Sequence, residues 1–137
     1  IIWRRSTTGL VYIWLMEDGE ISSQYSLITA NTNWQIAGTG DINGDGTADI
    51  ILRNQADGRN WAYLMKDGQI DTSTLINEVA DLNWQIGNIG DYDGDGKADL
   101  MWRNEVTTRN IVHLMDGTTV KSRGVLRPTD NTWQVAK

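Results

Sequence analysis

The chain has no cysteine, which excludes a disulfide framework, a thiol nucleophile and any cysteine-built metal centre. It has one histidine, His113, so no pair of imidazoles can assemble a zinc site. There is one proline and no phenylalanine. No apolar run reaches the length a membrane helix needs, and no window carries a useful helical stripe. Positive charge is also scarce. A formal net charge of −6 argues against nucleic acid or an anionic membrane as a partner held by simple attraction. Neither a nucleophile elbow nor a phosphate-binding loop occurs. Together these absences favour a binding module over an enzyme.

What is present is globular and turn-rich. The 137 residues are 39% hydrophobic and 22% charged, with 14 glycines and seven tryptophans, enough for one domain with a core. The absence of cysteine is compatible with a secreted or surface protein of bacterial type. Self-similarity organises the whole chain. "IIWRR" at 1–5 returns as "IILRN" at 50–54 and "LMWRN" at 100–104. "YIWLMEDG" at 12–19 returns as "WAYLMKDG" at 61–68 and "IVHLMDG" at 111–117. "NWQIAG" at 33–38 returns as "NWQIGN" at 83–88 and "TWQVAK" at 132–137.

Within one unit the β-prone runs "NWQIAGTG", "IILRN", "NWAYLM" and "IDTSTLI" are separated by turn residues, among them an Asp-Gly pair suited to positive φ. Four strands of rising polarity per repeat describe an all-β fold of four-stranded antiparallel β-propeller blades. A β-sandwich has no reason to repeat at this period, and a solenoid coil would be shorter.

The densest chemistry lies in "GDINGDGTADIILRN" (40–54) and "GDYDGDGKADLMWRN" (90–104). Asp41, Asn43, Asp45 and Asp49 stand at loop positions 1, 3, 5 and 9, as do Asp91, Asp93, Asp95 and Asp99. Alternate side chains can converge on one point while Gly46 or Gly96 makes the sharp turn. A hard cation such as Ca²⁺ wants several oxygens at about 2.3–2.6 Å, and the carbonyls of Thr47 and Lys97 at position 7 are expected to add to the set. Position 12 holds Leu52 or Trp102 instead of the EF-hand glutamate, so the loop sits on a hairpin without helices. Mg²⁺ suits it less, because that ion keeps more of its water.

These two stretches resemble the FG-GAP or VCBS repeats of integrin-like β-propellers, and the shared anchors extend the resemblance along the whole chain. The resemblance implies a calcium-bearing, extracellular propeller serving adhesion, carbohydrate binding or attachment to secreted proteins. It also implies that each loop joins a blade's innermost strand to the next strand outward.

No third loop occurs, because the positions matching 39–49 fall outside the sequence at both ends. The expected organisation is two whole blades, 31–80 and 81–130, plus one blade split between 1–30 and 131–137. Two chains could then share seams in a six-bladed ring; alternatively, further blades belong to a longer chain. Trp3, Trp34, Trp84, Trp102 and Trp133 are expected to pack between blades, as are Leu15, Leu64, Leu114, Met16, Met65 and Met115. The paired positions Tyr12 and Trp14, Trp61 and Tyr63, and Ile111 and His113 vary in a way that suits a partly exposed groove. Tyr12, Trp14, Trp61, Tyr63 and His113, with Asn60 and Asn110, are therefore the candidate glycan contacts. Protein adhesion and a purely structural role are the alternatives. Arg4, Arg53 and Arg103 are expected to bond carbonyls or carboxylates.

Overall fold

A computed structural model describes residues 1–27 and 31–136. The boundary expected at residue 30, and Lys137 of the last expected strand, lie outside these described residues. Among them the fold is all-β, with three antiparallel sheets and no helix. The first sheet holds β1 (Ile2–Arg4), β2 (Val11–Glu17) and β3 (Glu20–Leu27). The second holds β4 (Trp34–Gly40), β5 (Asp49–Asn54), β6 (Asn60–Lys66) and β7 (Gln69–Leu75). The third holds β8 (Trp84–Gly90), β9 (Asp99–Asn104), β10 (Asn110–Asp116) and β11 (Thr119–Leu126). Each sheet is a simple meander in chain order, the blade arrangement that the repeat implies.

Strand alternation explains how one blade serves two interfaces, because successive side chains point to opposite faces. Ile50 and Leu52 of β5 join Val11, Ile13, Leu27, Trp34 and Met65 in a core against the first blade. Ile51, between them, turns to the other face and packs with Ala62, Ile86, Leu100, Trp102 and Met115 against the third. Every residue of β5 is buried, whereas β7 and β11 are largely exposed. The inner strands approach closely: a methyl added at Gly40 would stand 2.7 Å from Ile89 Cγ2 and 2.8 Å from Ala98 Cβ.

The split blade's sheet has the three strands expected of residues 1–30, and the described residues 131–136 form no strand. They instead line a groove with Gln85, Ile86 and Gly87 of β8, the side on which an inner strand of a further blade would lie. A β-strand needs a ladder partner on its edge, and within this chain β1 does not supply one. Trp3 and Trp133, expected in the core, are consequently 52% and 66% exposed. Met16 is also exposed, while Met65 and Met115 are buried as expected.

Candidate metal loops and aromatic clefts

Both Asp-Gly loops are built on one frame. The Asp41 carboxylate accepts N–H groups from Gly44 at 2.7 Å (Oδ1) and Gly46 at 2.7 Å (Oδ2). Asp91 does the same for Gly94 at 2.6 Å and Gly96 at 2.9 Å. Gly44, Gly46, Gly94 and Gly96 all have positive φ, a backbone region that glycine enters without steric cost. At position 9, Asp49 accepts from Ile42 N–H at 2.9 Å and Met65 N–H at 2.9 Å. Asp99 repeats this with Tyr92 at 2.8 Å and Met115 at 2.8 Å. Burial is the main influence on Asp49, raising its pKa above the ordinary carboxylate value against the pull of these two N–H groups.

In the second loop Asp91, Asp93 and Asp99 each bring one carboxylate oxygen within 4.8 Å of the others. Three anionic oxygens so close repel one another, and oxygens of this kind are the donors a hard cation takes. Among the described residues no other group of three or more acidic, histidine or cysteine side chains has this geometry. Asn43 replaces the second of these aspartates in the first loop. It holds Asp45 through Nδ2–H to Oδ2 at 2.9 Å, which, with the Thr47 N–H, lowers the Asp45 pKa. Thr47 and Lys97, expected to offer carbonyls, donate N–H groups to Asp45 at 2.8 Å and Asp95 at 2.9 Å. The loops touch: Ala98 N–H donates to the Asp41 carbonyl at 2.6 Å.

One residue at this site was not anticipated. Lys121 Nζ lies 2.7 Å from Asp93 Oδ2 and also donates to Asp95 Oδ2. The Lys121 bonds are the largest influence lowering the Asp95 pKa, and the two carboxylates raise that of Lys121. Asp95 is thus turned toward Lys121, outside the cluster of three. The sequence signal was available: the matching strand carries Asp71 where β11 carries Lys121.

The variable aromatic positions build the same cleft twice. Trp34, Leu52, Trp61, Tyr63 and Ser73 line a cavity of about 190 Å³. Trp84, Trp102, Ile111, His113 and Arg123 line one of about 270 Å³, walled also by Glu78 and Val79 from the preceding blade. These two sets correspond position by position at a spacing of 50. In the first, Trp34 and Trp61 meet edge to face with centroids 6.2 Å apart, and Trp61 Nε1–H donates to Ser73 Oγ at 2.7 Å. In the second, Trp102 and His113 have centroids 5.5 Å apart. Trp102 Nε1 and His113 Nδ1 are buried without hydrogen-bond partners. Burial, helped by Arg123, pushes the His113 pKa down to about 4, so the ring is neutral at physiological pH.

Residues 41–102 match the model of the FG-GAP-like repeat. That stretch, from the first Asp-Gly loop to β9, is similar to an FG-GAP-like repeat. Neither a curated protein nor a solved structure matches it.

Within the repeated units, other expected contacts take different places. Asn60 and Asn110, read as sugar contacts, are buried and line neither aromatic cleft. Asn60 accepts from Arg53 at 3.1 Å and donates to Asn77 O at 2.6 Å. Asn110 likewise accepts from Arg103 at 3.2 Å and donates to Arg127 O at 2.9 Å. A buried amide must satisfy its donors and acceptor, and here the blade's own exit segment does so. Arg53 also reaches the carbonyls of Gly58, Val79 and Asp81 at 2.9, 3.0 and 3.3 Å. Arg103 reaches those of Thr129 and Asp130 at 3.2 and 3.1 Å, and Arg4 that of Thr32 at 3.0 Å. The recurring arginine therefore pins each blade to the segment that leaves it, as its recurrence suggested. Tyr12 and Trp14 stand at the matching positions of the first blade, where Trp14 packs on Trp3 at 5.1 Å between centroids.

Proposed function

We propose that this protein is a calcium-stabilised, propeller-type binding module that takes carbohydrate in the clefts between its blades. The observation that carries this reading is the duplicated cleft, walled by Trp34, Trp61 and Tyr63 in one copy and by Trp84, Trp102 and His113 in the other. Sugar rings have an apolar face that stacks on aromatic side chains and hydroxyls that need polar partners. The second cleft offers both: the rings of Trp84 and Trp102 stand beside the charged side chains of Glu78 and Arg123 in its lining. Shallow sites repeated at fixed spacing gain through avidity what each lacks alone. Calcium would be held by Asp91, Asp93 and Asp99, with Asp41, Asn43 and Asp49 as their counterparts, and would stabilise the folded state by mass action. Loops of this sort, exposed to the high calcium outside cells, fit a secreted or surface location. A glycan array in calcium-containing buffer, followed by titration of any hit into wild type and Trp61→Ala, tests the reading. Selective binding that weakens in the variant supports it; no binding to any glycan rejects it.

A second reading is favoured by the exposure of Trp3 and Trp133: the module is completed by further blades. By the register of the whole blades, Trp34 opposite Asn54 and Gln35 opposite Arg53, Trp133 of a second copy would lie opposite Arg5 and Gln134 opposite Arg4. Native mass spectrometry finding two chains supports this seam. A single-chain mass points instead to blades elsewhere in a longer polypeptide.

A further inference from the structure

The two loops share a sequence frame but differ in what faces them. Between β10 and β11 the register slips, with Leu114 opposite Ser122 and Met115 opposite Val120, so Lys121 is the extra residue of a β-bulge. The same slip in the second blade leaves Asp71 in that place, and in the first blade Ser22. A bulge lifts one residue out of the alternating pattern and re-aims its side chain. In the third blade that device delivers an ammonium group to Asp93 and Asp95. Lys97, inside the loop, is not available for this role because its ammonium pairs with Asp116. Lys66 faces the first loop and draws down the Asp45 pKa from a distance, but among the described residues no ion pair joins it to a loop carboxylate.

We propose that Lys121 is a tethered counter-cation of the second loop, holding Asp93 and Asp95 in the metal-free protein and opposing entry of a divalent cation. The first loop, with Asp71 at the bulge, has no such occupant and binds calcium more tightly. This rests on the reading of the loops as calcium sites. The physical basis is that a cation entering beside Asp93 must displace the ammonium or share its carboxylate, and like charges at such distances repel. One loop then folds on its own side chain, whereas the other relies on the ion.

The test is a titration of calcium chloride into the full chain by amide NMR, following Gly46 and Gly96. Their N–H groups bond Asp41 and Asp91, so each reports one loop. In wild type the Gly46 midpoint should lie at lower calcium than that of Gly96. Lys121→Gln should shift the Gly96 midpoint to lower calcium by roughly fivefold, the scale of a partly exposed ion pair, and leave Gly46 unchanged. The reciprocal Asp71→Lys should weaken the Gly46 response by a similar factor and guards against a folding defect in the first variant. If both amides titrate and neither variant moves its midpoint, the counter-cation is rejected while the calcium reading stands. If neither amide responds in any form, both fail.

Discussion

Asp49 Oδ1 accepts the amide N–H of Met65 at 2.9 Å across two strands, while Oδ2 takes that of Ile42 at 2.9 Å. The β5–β6 ladder ends at Ile50 opposite Tyr63, so the Met65 amide has no strand carbonyl to meet. A buried carboxylate substitutes for the missing backbone, and Asp99 with Met115 repeats the arrangement at 2.8 Å. The residue at loop position 9 thereby ties the Asp-Gly loop to the third strand of its blade, whether or not an ion is bound.

Asp49→Asn should therefore destabilise the fold even without calcium. The amide offers one acceptor where two N–H groups converge, leaving one buried donor unpaired at a cost of about 1–3 kcal/mol. Urea denaturation in EDTA should show a lower midpoint at unchanged slope. An unchanged midpoint would mean that position 9 serves only the metal.

Gly40 and Gly90 hold matching positions on β4 and β8 but meet different surroundings. An added methyl at Gly40 clashes with Ile89 and Ala98, whereas at Gly90 nothing lies within 4 Å. Gly40→Ala should cost about 1–3 kcal/mol, the usual penalty of overpacking, and Gly90→Ala should be near neutral in the monomer. Thermal melts of both variants check the contrast. Equal damage at the two sites would mean that another blade covers β8 in solution.

Thr108 adopts φ 59°, where its counterpart Gly58 adopts φ 80°. A β-branched residue pays a steric penalty in this region. Gly58 cannot be exchanged in return, since a Cβ there would stand 2.2 Å from Val79 O. Thr108→Gly should stabilise the protein by about 1 kcal/mol once the greater freedom of glycine in the unfolded chain is counted against the relief. A rise in melting temperature would confirm it, and a fall would show that the Thr108 side chain has a stabilising role of its own.

The blades were legible in the sequence because three sets of anchors, "WQ" and "LM" among them, recur at a spacing of about fifty residues. The two Asp-Gly loops were legible as matching turns, because glycines recur where the backbone takes positive φ. Lys121 was not, since its contact depends on a bulge that no periodicity announces, although the exchange of Asp71 for Lys121 marked the place. Asn60 and Asn110 were misplaced because an amide beside an arginine reads equally as surface or as the buried partner of that arginine. Trp3 and Trp133 differ from Trp34 and Trp102 in their neighbours, which a residue's own identity does not encode.

His113 gives the fold a pH limit that is distinct from the carboxylates. Its pKa is about 4 in the folded chain against 6.5 for an unperturbed imidazole, so between these values the unfolded chain binds the extra proton. Stability is then full above pH 6.5 and declines as pH falls toward 4, by up to about 3 kcal/mol. Asp45 and Asp95, held below the ordinary value of 3.8, add losses only at lower pH. Asp49, raised by burial, works in the opposite direction. His113→Gln isolates the imidazole: wild type should lose stability between pH 6.5 and 4 by denaturant titration, and the variant should lose much less over that range. If the two curves run parallel, the imidazole titrates alike in the folded and unfolded chain, and burial in the cleft does not hold the ring neutral below pH 6.5.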